Sequence, residues 1–119
     1  MLKDNLYRLD TLSGENGSYE AVISLIPESP VFAGHFPGRP IVPGVCLVQM
    51  AVEIIETIEG RDKEVRQAKD IRFLSVITPQ ECSALCLKLS KSDENGRWSV
   101  MILSGGELRS KFSISLCNV

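Results

Sequence analysis

An uncharged run directly after Gly44 constrains the fold of this chain more than any other feature. Residues 45–52 include one polar side chain, Gln49, and no charge. A helix that is apolar on nearly every face has to be buried on nearly every face. Three glutamates then appear, and Gly60 is a typical C-terminal stop. The pattern predicts a helix over residues 43–59 that is buried at its start and amphipathic towards its end.

A stiff loop precedes this helix and carries the only histidine, His35. Residues 35–44 contain three prolines at a spacing of three, and two of them are followed by glycine. Proline fixes φ and glycine frees it, so this loop is expected to follow one path. Rigidly held loops often carry functional residues, which favours a positioned histidine. The alternatives are a histidine with a structural role only, and a Pro-x-x-Pro ligand for an SH3-type domain.

Length and composition indicate an ordinary globular protein. The 119 residues are 44% hydrophobic and 24% charged, which predicts one domain, 1–119, with a core of its own. A net charge of −2 does not suggest nucleic-acid binding. No apolar run reaches the roughly 20 residues that span a bilayer. Because the N-terminus does not resemble a signal peptide and the four cysteines contain no Cys-x-x-Cys pair, we expect reduced cysteines, no metal site and a cytoplasmic location.

Strand-like segments flank the helix, two before it and four after it, with turn signals between them. The predicted strands are residues 6–12, 19–26, 69–77, 82–90, 97–104 and 107–116. We interpret residues 27–34 as a connection and the charged residues 61–68 as an exposed linker. The order predicts an α+β fold in which a curved antiparallel sheet of about six strands wraps around one long helix. Such a sheet leaves a free edge and uncovered apolar helix surface, so we expect a symmetric dimer.

The run at residues 35–53, HFPGRPIVPGVCLVQMAVE, resembles the signature of the hotdog-fold β-hydroxyacyl-acyl-carrier-protein dehydratases of fatty acid synthesis. Their pattern is close to HFPGxPxxPGVxxxExxxQ. A later segment, KDIRFLSVITP, is similar to the strand that follows the helix in that family. The resemblance implies a hotdog fold, a homodimer or higher even oligomer, and a dehydratase acting on 3-hydroxyacyl thioesters. It implies no cofactor, because the substrate is carried on the phosphopantetheine of acyl carrier protein or of CoA.

The resemblance also implies roles for individual residues. His35 takes the position of the catalytic base, which removes the proton next to the thioester carbonyl. The carbonyl of Ile41 takes the position that holds the far ring nitrogen of this histidine. The N–H of Gly44 takes the position that binds the thioester oxygen, at a helix N-terminus that suits developing negative charge. The remaining substrate-binding positions are Phe36, Gly38 and Arg39.

One position departs from the family pattern. The helix acid that protonates the departing hydroxyl is replaced by Gln49, and an amide has no proton to deliver. The family's usual glutamine, four residues on, is replaced by Glu53, so E-x-x-x-Q has become Q-x-x-x-E. Glu53 lies on the same helix face, about 6 Å along the axis, and is the candidate relocated acid. The alternative is that Glu53 begins the solvated half of the helix.

Two functions follow from this departure. The first is a dehydratase, or a related isomerase or hydratase of acyl thioesters, with an altered acid. The second is a non-catalytic hotdog subunit that binds acyl chains or supports an active dehydratase paralogue in a heterodimer. A thioesterase is a weaker third alternative, because nothing here matches the acidic nucleophile or base of that group.

A basic cluster after the helix is the expected docking site for acyl carrier protein, because these carriers are acidic. Ordinary solvated surface is the alternative reading of these charges. In addition, Arg39 would contact a phosphopantetheine phosphate at the pocket mouth. The cluster consists of Arg61, Lys63, Arg66, Lys69 and Arg72.

Overall fold

Helix α2 runs over Gly44–Glu59, as the sequence predicts. Pro43 precedes it with a φ of −61°, and the missing proline N–H costs nothing at a helix start. Gly60 ends it with a φ of 67°, and its N–H donates to the Glu56 carbonyl at 2.8 Å. A left-handed conformation at this position suits glycine, which explains the sharp stop.

The computed structural model describes residues 1–34, 40–92 and 95–119. Within these residues, one further helix and six strands complete the fold. They are α1 (Pro30–Gly34), β1 (Tyr7–Glu15), β2 (Ser18–Leu25), β3 (Lys63–Phe73), β4 (Ala84–Lys91), β5 (Arg97–Ser104) and β6 (Glu107–Asn118).

The six strands form one antiparallel sheet in the order β1-β2-β4-β5-β6-β3. Two hairpins turn on pairs of residues with positive φ, Asn16–Gly17 at 55° and 82° and Gly105–Gly106 at 59° and 81°. Such primed turns match the right-handed twist of the flanking strands. The predicted α+β architecture, six strands and one long helix, is confirmed.

One face of the sheet packs on helix α2 and forms the core. Alternate residues of the central strands point inward and are buried, as expected of a sheet with one covered face. Helix α2 adds buried apolar side chains to the same cluster. The largest members include Ile23, Met50, Ile54, Leu87, Trp98 and Ile102.

Strand β3 corrects the predicted linker. It begins at Lys63, inside the charged segment 61–68, and it ends at Phe73 rather than at residue 77. It lies at the edge of the sheet, and none of its positions is fully buried. An edge strand without a covered face has no apolar alternation, so its sequence resembles a linker. Helix α1 likewise occupies part of the predicted connection.

Within a single chain, helix α2 has the expected uncovered apolar surface in its first half and differs from the prediction in its second half. Its first half is not covered all round, because Val45 is 75% exposed and Gln49 is exposed. Its second half does not emerge into solvent at once, because Glu53 is only 2% exposed and Ile54 and Ile55 are buried. One sheet covers one side of the helix, and the apolar first half therefore presents an uncovered face.

All four cysteines are free of disulfide bonds, and Cys82 alone among them is buried. In the described part of the chain, neither helix has the length and apolarity needed to cross a membrane.

Candidate functional site

An apolar groove lies at the N-terminus of helix α2. Its volume is about 550 Å³, within the range of small-molecule sites. One wall comes from residues 41–44 and Leu47, and the other comes from residues 73–77 after β3. Two predicted substrate-binding residues, Ile41 and Gly44, are therefore brought to one cavity.

At this end of the helix, two backbone N–H groups have no hydrogen-bond partner among the described residues. The first intrahelical bonds are donated by Cys46 and Leu47 to the Pro43 carbonyl, at 2.9 and 3.3 Å. The N–H groups of Gly44 and Val45 precede them and have no helical partner, and no side chain caps the helix. Such a terminus carries partial positive charge and stabilises an anionic oxygen.

The second wall of the groove is held from behind by Arg109. Its carbonyl accepts the N–H groups of Leu74 and Ser75, at 2.8 and 3.3 Å. Its guanidinium donates to Ser75 Oγ and to the Val76 carbonyl, both at 3.3 Å. Residues 74–76 are thus fixed in backbone position although they lie outside any strand.

Glu53 lies in a buried network one turn after Gln49. Its Oε2 accepts the Leu2 N–H at 2.9 Å and the Gln49 Nε2 at 3.0 Å. Its Oε1 accepts the Lys3 N–H at 2.9 Å and the Tyr7 hydroxyl at 3.0 Å. Two carboxylate oxygens have about four lone-pair sites, so four donors saturate Glu53.

The protonation states follow from this network. Burial raises the pKa of Glu53, but the hydrogen bonds from Leu2, Gln49, Lys3 and Tyr7 outweigh it, and the net pKa is lowered. Burial and the Glu53 charge raise the pKa of Tyr7, so its hydroxyl stays a donor. Glu53 is therefore a carboxylate near neutral pH. It has neither a proton to give nor a free lone pair, which favours a structural role over the relocated acid. The alternative, that Glu53 starts a solvated half of the helix, is wrong.

The orientation of the Gln49 amide is set by Glu53. Because a carboxylate only accepts hydrogen bonds, the Gln49 atom 3.0 Å from it is the amide nitrogen. Gln49 therefore directs its amide oxygen away from Glu53. It presents an acceptor and one remaining N–H to its surroundings, and no acidic proton.

Gln49 and Gly44 do not share a cavity within one chain. Five residues along a helix place two side chains about 140° apart around the axis. Gln49 and Glu53 line a separate cavity of about 530 Å³, together with Met1 and the end of helix α2, and it shares no lining residue with the apolar groove. One copy of the chain therefore brings together only part of the predicted site.

Four predicted site residues, His35, Phe36, Gly38 and Arg39, lie outside the described residues. Conversely, sequence reasoning missed Tyr7, Phe73 and Arg109. The segment 73–77, in which Ser75 is the one polar residue, was a signal for a second groove wall. No local signal points to Tyr7 or Arg109, because their partners are far away in the sequence.

Comparisons with known proteins identify the family of this chain. The ApeI-like family model, described as ApeI dehydratase, matches residues 11–111. The chain belongs to the ApeI-like dehydratase family. The sequence-based assignment to hotdog-fold dehydratases is thereby confirmed.

Curated relatives of this ApeI-like chain carry the name 3-hydroxyacyl-[acyl-carrier-protein] dehydratase FabZ. The protein of Wolbachia pipientis wMel is 32% identical over 69 residues, which are 52% of this chain and 48% of that protein. The protein of Herpetosiphon aurantiacus is 41% identical over 69 residues, 52% of this chain and 49% of that protein. The matched part is thus about half the length of these relatives.

Among solved structures, this ApeI-like chain is similar to one titled the dehydratase heterocomplex ApeI:P from Xenorhabdus doucetiae. The TM-score is 0.80 at 18% identity, and the match covers 93% of this chain and 97% of that chain. At this identity the likeness establishes the hotdog fold.

The Glu53 network predicts an acid-sensitive loss of stability. Glu53→Gln leaves one acceptor oxygen for four donors and turns an NH2 group towards two of them, so we expect a loss of about 3 kcal/mol in unfolding free energy. Denaturant titration measures it, with the exposed Glu20→Gln as the matched control.

The pH dependence of this loss has a defined sign. Because the folded-state pKa of Glu53 is lowered, its contribution is complete above the ordinary glutamate pKa of about 4.3 and disappears as the pH falls below it. The difference in unfolding free energy between wild type and Glu53→Gln therefore becomes smaller as the pH falls below this value. Equal denaturation midpoints near neutral pH would contradict the structural role of Glu53.

Proposed function

We propose that this chain is a subunit of a dehydratase acting on 3-hydroxyacyl thioesters, with a site completed by a second chain. The observation that carries the proposal is the division of the site. The apolar groove and the helix N-terminus occupy one side of α2, whereas Gln49, at the position of the family acid, occupies the other.

The groove supplies half of the chemistry in this proposal. The acyl chain lies against the apolar walls, and the thioester oxygen approaches the N–H groups of Gly44 and Val45. His35 removes the proton on the carbon next to the carbonyl, in the role that its motif implies. The negative charge that develops on the oxygen is stabilised by the helix N-terminus.

The acid is the missing half. Gln49 has no proton to deliver, and the saturated Glu53 holds none near neutral pH. A second copy of this chain would bring only another Gln49 to the departing hydroxyl. A paralogous dehydratase would bring an acid to the site that contains His35.

Two surface features support a second chain. Strand β3 is an edge strand, and such an edge presents unpaired backbone groups. Beside it lie exposed apolar side chains, among them Val45, Phe73, Leu74 and Val76. The similarity to the ApeI:P heterocomplex makes a paralogous hotdog subunit the partner that we propose, with a homodimer as the state of the isolated chain.

The second candidate function is a non-catalytic acyl-binding subunit. The same Gln49 favours it, because an amide oxygen accepts a hydrogen bond from a 3-hydroxyl without promoting its departure. The two functions differ in whether His35 contributes to turnover.

Turnover assays distinguish the two functions. We expect the isolated wild type to dehydrate 3-hydroxyacyl thioesters about 10²- to 10⁴-fold more slowly than its Gln49→Glu variant, the scale of general acid catalysis. A glutamate at 49 lies beside Glu53, and two neighbouring carboxylates share one proton with a raised pKa. The new acid would therefore hold a proton near neutral pH.

Two further variants serve as controls for this assay. Gln80→Glu makes the same change at an exposed position and should leave the rate unchanged. His35→Ala should abolish the activity gained with Gln49→Glu. If Gln49→Glu shows no dehydration of either free or carrier-bound thioesters, the enzymatic function is rejected. The non-catalytic acyl-binding subunit is then the function that remains.

Assembly is tested by light scattering at micromolar concentration. We expect wild type to have the mass of two chains. Val45→Glu places a charge on the uncovered helix face, and its mass should fall to that of one chain. The control is Val22→Glu on strand β2, at a position that is 36% exposed, and its mass should stay that of two chains. A wild-type monomer would contradict the two-chain site.

The outer face of the sheet supports a docking site for an acidic carrier, although the predicted cluster changes. Lys63 is already engaged by Glu59 and by Asn118 Oδ1, both at 2.7 Å, and Arg61 lines the Gln49 cavity. Two cations of β5 and β6 take their places in the basic surface. Lys111 pairs with Arg72 across neighbouring strands, and Arg97 shares a polar cavity with Arg66. The outer basic surface consists of Arg66, Lys69, Arg72, Arg97 and Lys111.

The excess of cations supports this surface as the site of contact, with Asp70 as the one carboxylate that shares a cavity with Lys111. None of its five cations forms an ion pair with a carboxylate of the described residues. It runs along β3 towards the groove, because Arg72 adjoins Phe73. We propose that it guides an acidic acyl carrier protein so that the acyl chain reaches the groove.

Titrations with acyl carrier protein test the docking surface. Reversing Arg66 and Lys111 to glutamate should weaken binding about tenfold, or roughly 1.4 kcal/mol, and flatten its dependence on salt. Arg8→Glu is the control, because Arg8 is exposed on β1, at the opposite edge of the sheet from β3. Affinity equal to that of wild type at low salt would show that the surface does not bind the carrier.

A further inference from the structure

We propose that Phe73 is a specificity-determining residue of the apolar groove, selecting acyl chains by their width next to the thioester. The inference rests on the proposed function, because it takes the groove as the acyl site. Phe73 is the last residue of β3 and is 54% exposed although it is a large aromatic side chain. The ring forms part of the groove wall, so a ligand in the groove would contact it.

The space around Gly44 locates this ring. A Cβ added to Gly44 would lie 2.5, 2.8 and 3.0 Å from the Cζ, Cε2 and Cε1 atoms of Phe73. Glycine is not required here by a positive φ, unlike the turn glycines. A larger residue here would instead have to displace the end of the Phe73 ring, which lies against the Gly44 backbone. Ring and glycine together shape the groove where the helix begins.

The ring is the adjustable part of this wall. The backbone after it is fixed by the hydrogen bonds to Arg109, and the Ile77 carbonyl accepts the Val42 N–H at 2.8 Å from the opposite wall. The two walls are therefore tied together at one end of the groove. At the other end the Phe73 ring lies against Gly44, and among the described residues its position sets the width of the groove.

This placement defines what the ring selects. A thioester oxygen at the N–H of Gly44 puts the first acyl carbons beside the ring. An unbranched chain gains contact with the aromatic face, whereas a methyl branch on the carbon next to the carbonyl collides with it. A misfit of one methyl-sized group in an apolar pocket is worth about 10- to 200-fold in affinity.

Calorimetric titration of saturated acyl pantetheine thioesters tests the proposal without requiring turnover. The probes are an unbranched thioester and its analogue methylated next to the carbonyl. Wild type should prefer the unbranched probe, and Phe73→Ala should reduce this preference about tenfold or more. Val65→Ala, on the same strand but away from the groove, is the control. Each variant is titrated at a protein concentration at which its mass by light scattering equals that of wild type.

A double-mutant cycle tests the contact itself. In the wild-type background, Gly44→Ala should displace the ring and weaken binding of the unbranched probe about tenfold. In the Phe73→Ala background, the same substitution should leave the affinity for this probe almost unchanged. Because the clash involves the far end of a side chain, Gly44→Ala should still fold, and Phe73→Leu provides a milder second variant. The role of Phe73 would be overturned if Gly44→Ala reduced the affinity equally in both backgrounds. It would also be overturned if Phe73→Ala kept the wild-type ratio of affinities for the two probes. If wild type binds neither probe, the acyl site of the proposed function fails, and this inference fails with it.

Discussion

Helix α2 carries more apolar surface than one sheet can cover, and this constraint governs the rest of the structure. The sheet packs on the side that contains Met50 and Ile54, and these positions are buried. The opposite side of the first half, including Val45, remains exposed beside the open edge of β3. Apolar area in contact with water is unfavourable in proportion to its size, so covering this side with another surface would be favourable.

The environment of Glu53 shows how the position of a carboxylate on a helix determines which form of it is favoured. At position 53 it meets two backbone N–H groups, a tyrosine hydroxyl and an amide, which together favour its charged form. A general acid needs the opposite environment, because burial without donors is what keeps a proton on a carboxyl near neutral pH. The same residue type therefore anchors the N-terminal segment here rather than donating a proton.

The sequence predicted the features that depend on local pattern and missed those that depend on distant partners. The bounds of α2 and the Gly105–Gly106 hairpin follow from neighbouring residues and were predicted correctly. The start of β3 was missed because an edge strand with no covered face carries no apolar alternation. The burial of Glu53 was missed because its donors, Leu2, Lys3 and Tyr7, are about fifty residues away in the sequence.

The division of the site around α2 links these observations to the proposed assembly. A helix that buries one side in its own sheet can offer its N-terminus to one groove and the Gln49 side chain to another, but never both to one ligand. Each chain in a pair would then contribute different groups to each site. A substitution on one side of the helix, such as glutamine for the family acid, would leave the groove on the other side intact. In such a pair, one subunit could lack the acid at the position of Gln49 and the other could lack a working groove. The assembly would still retain one complete site.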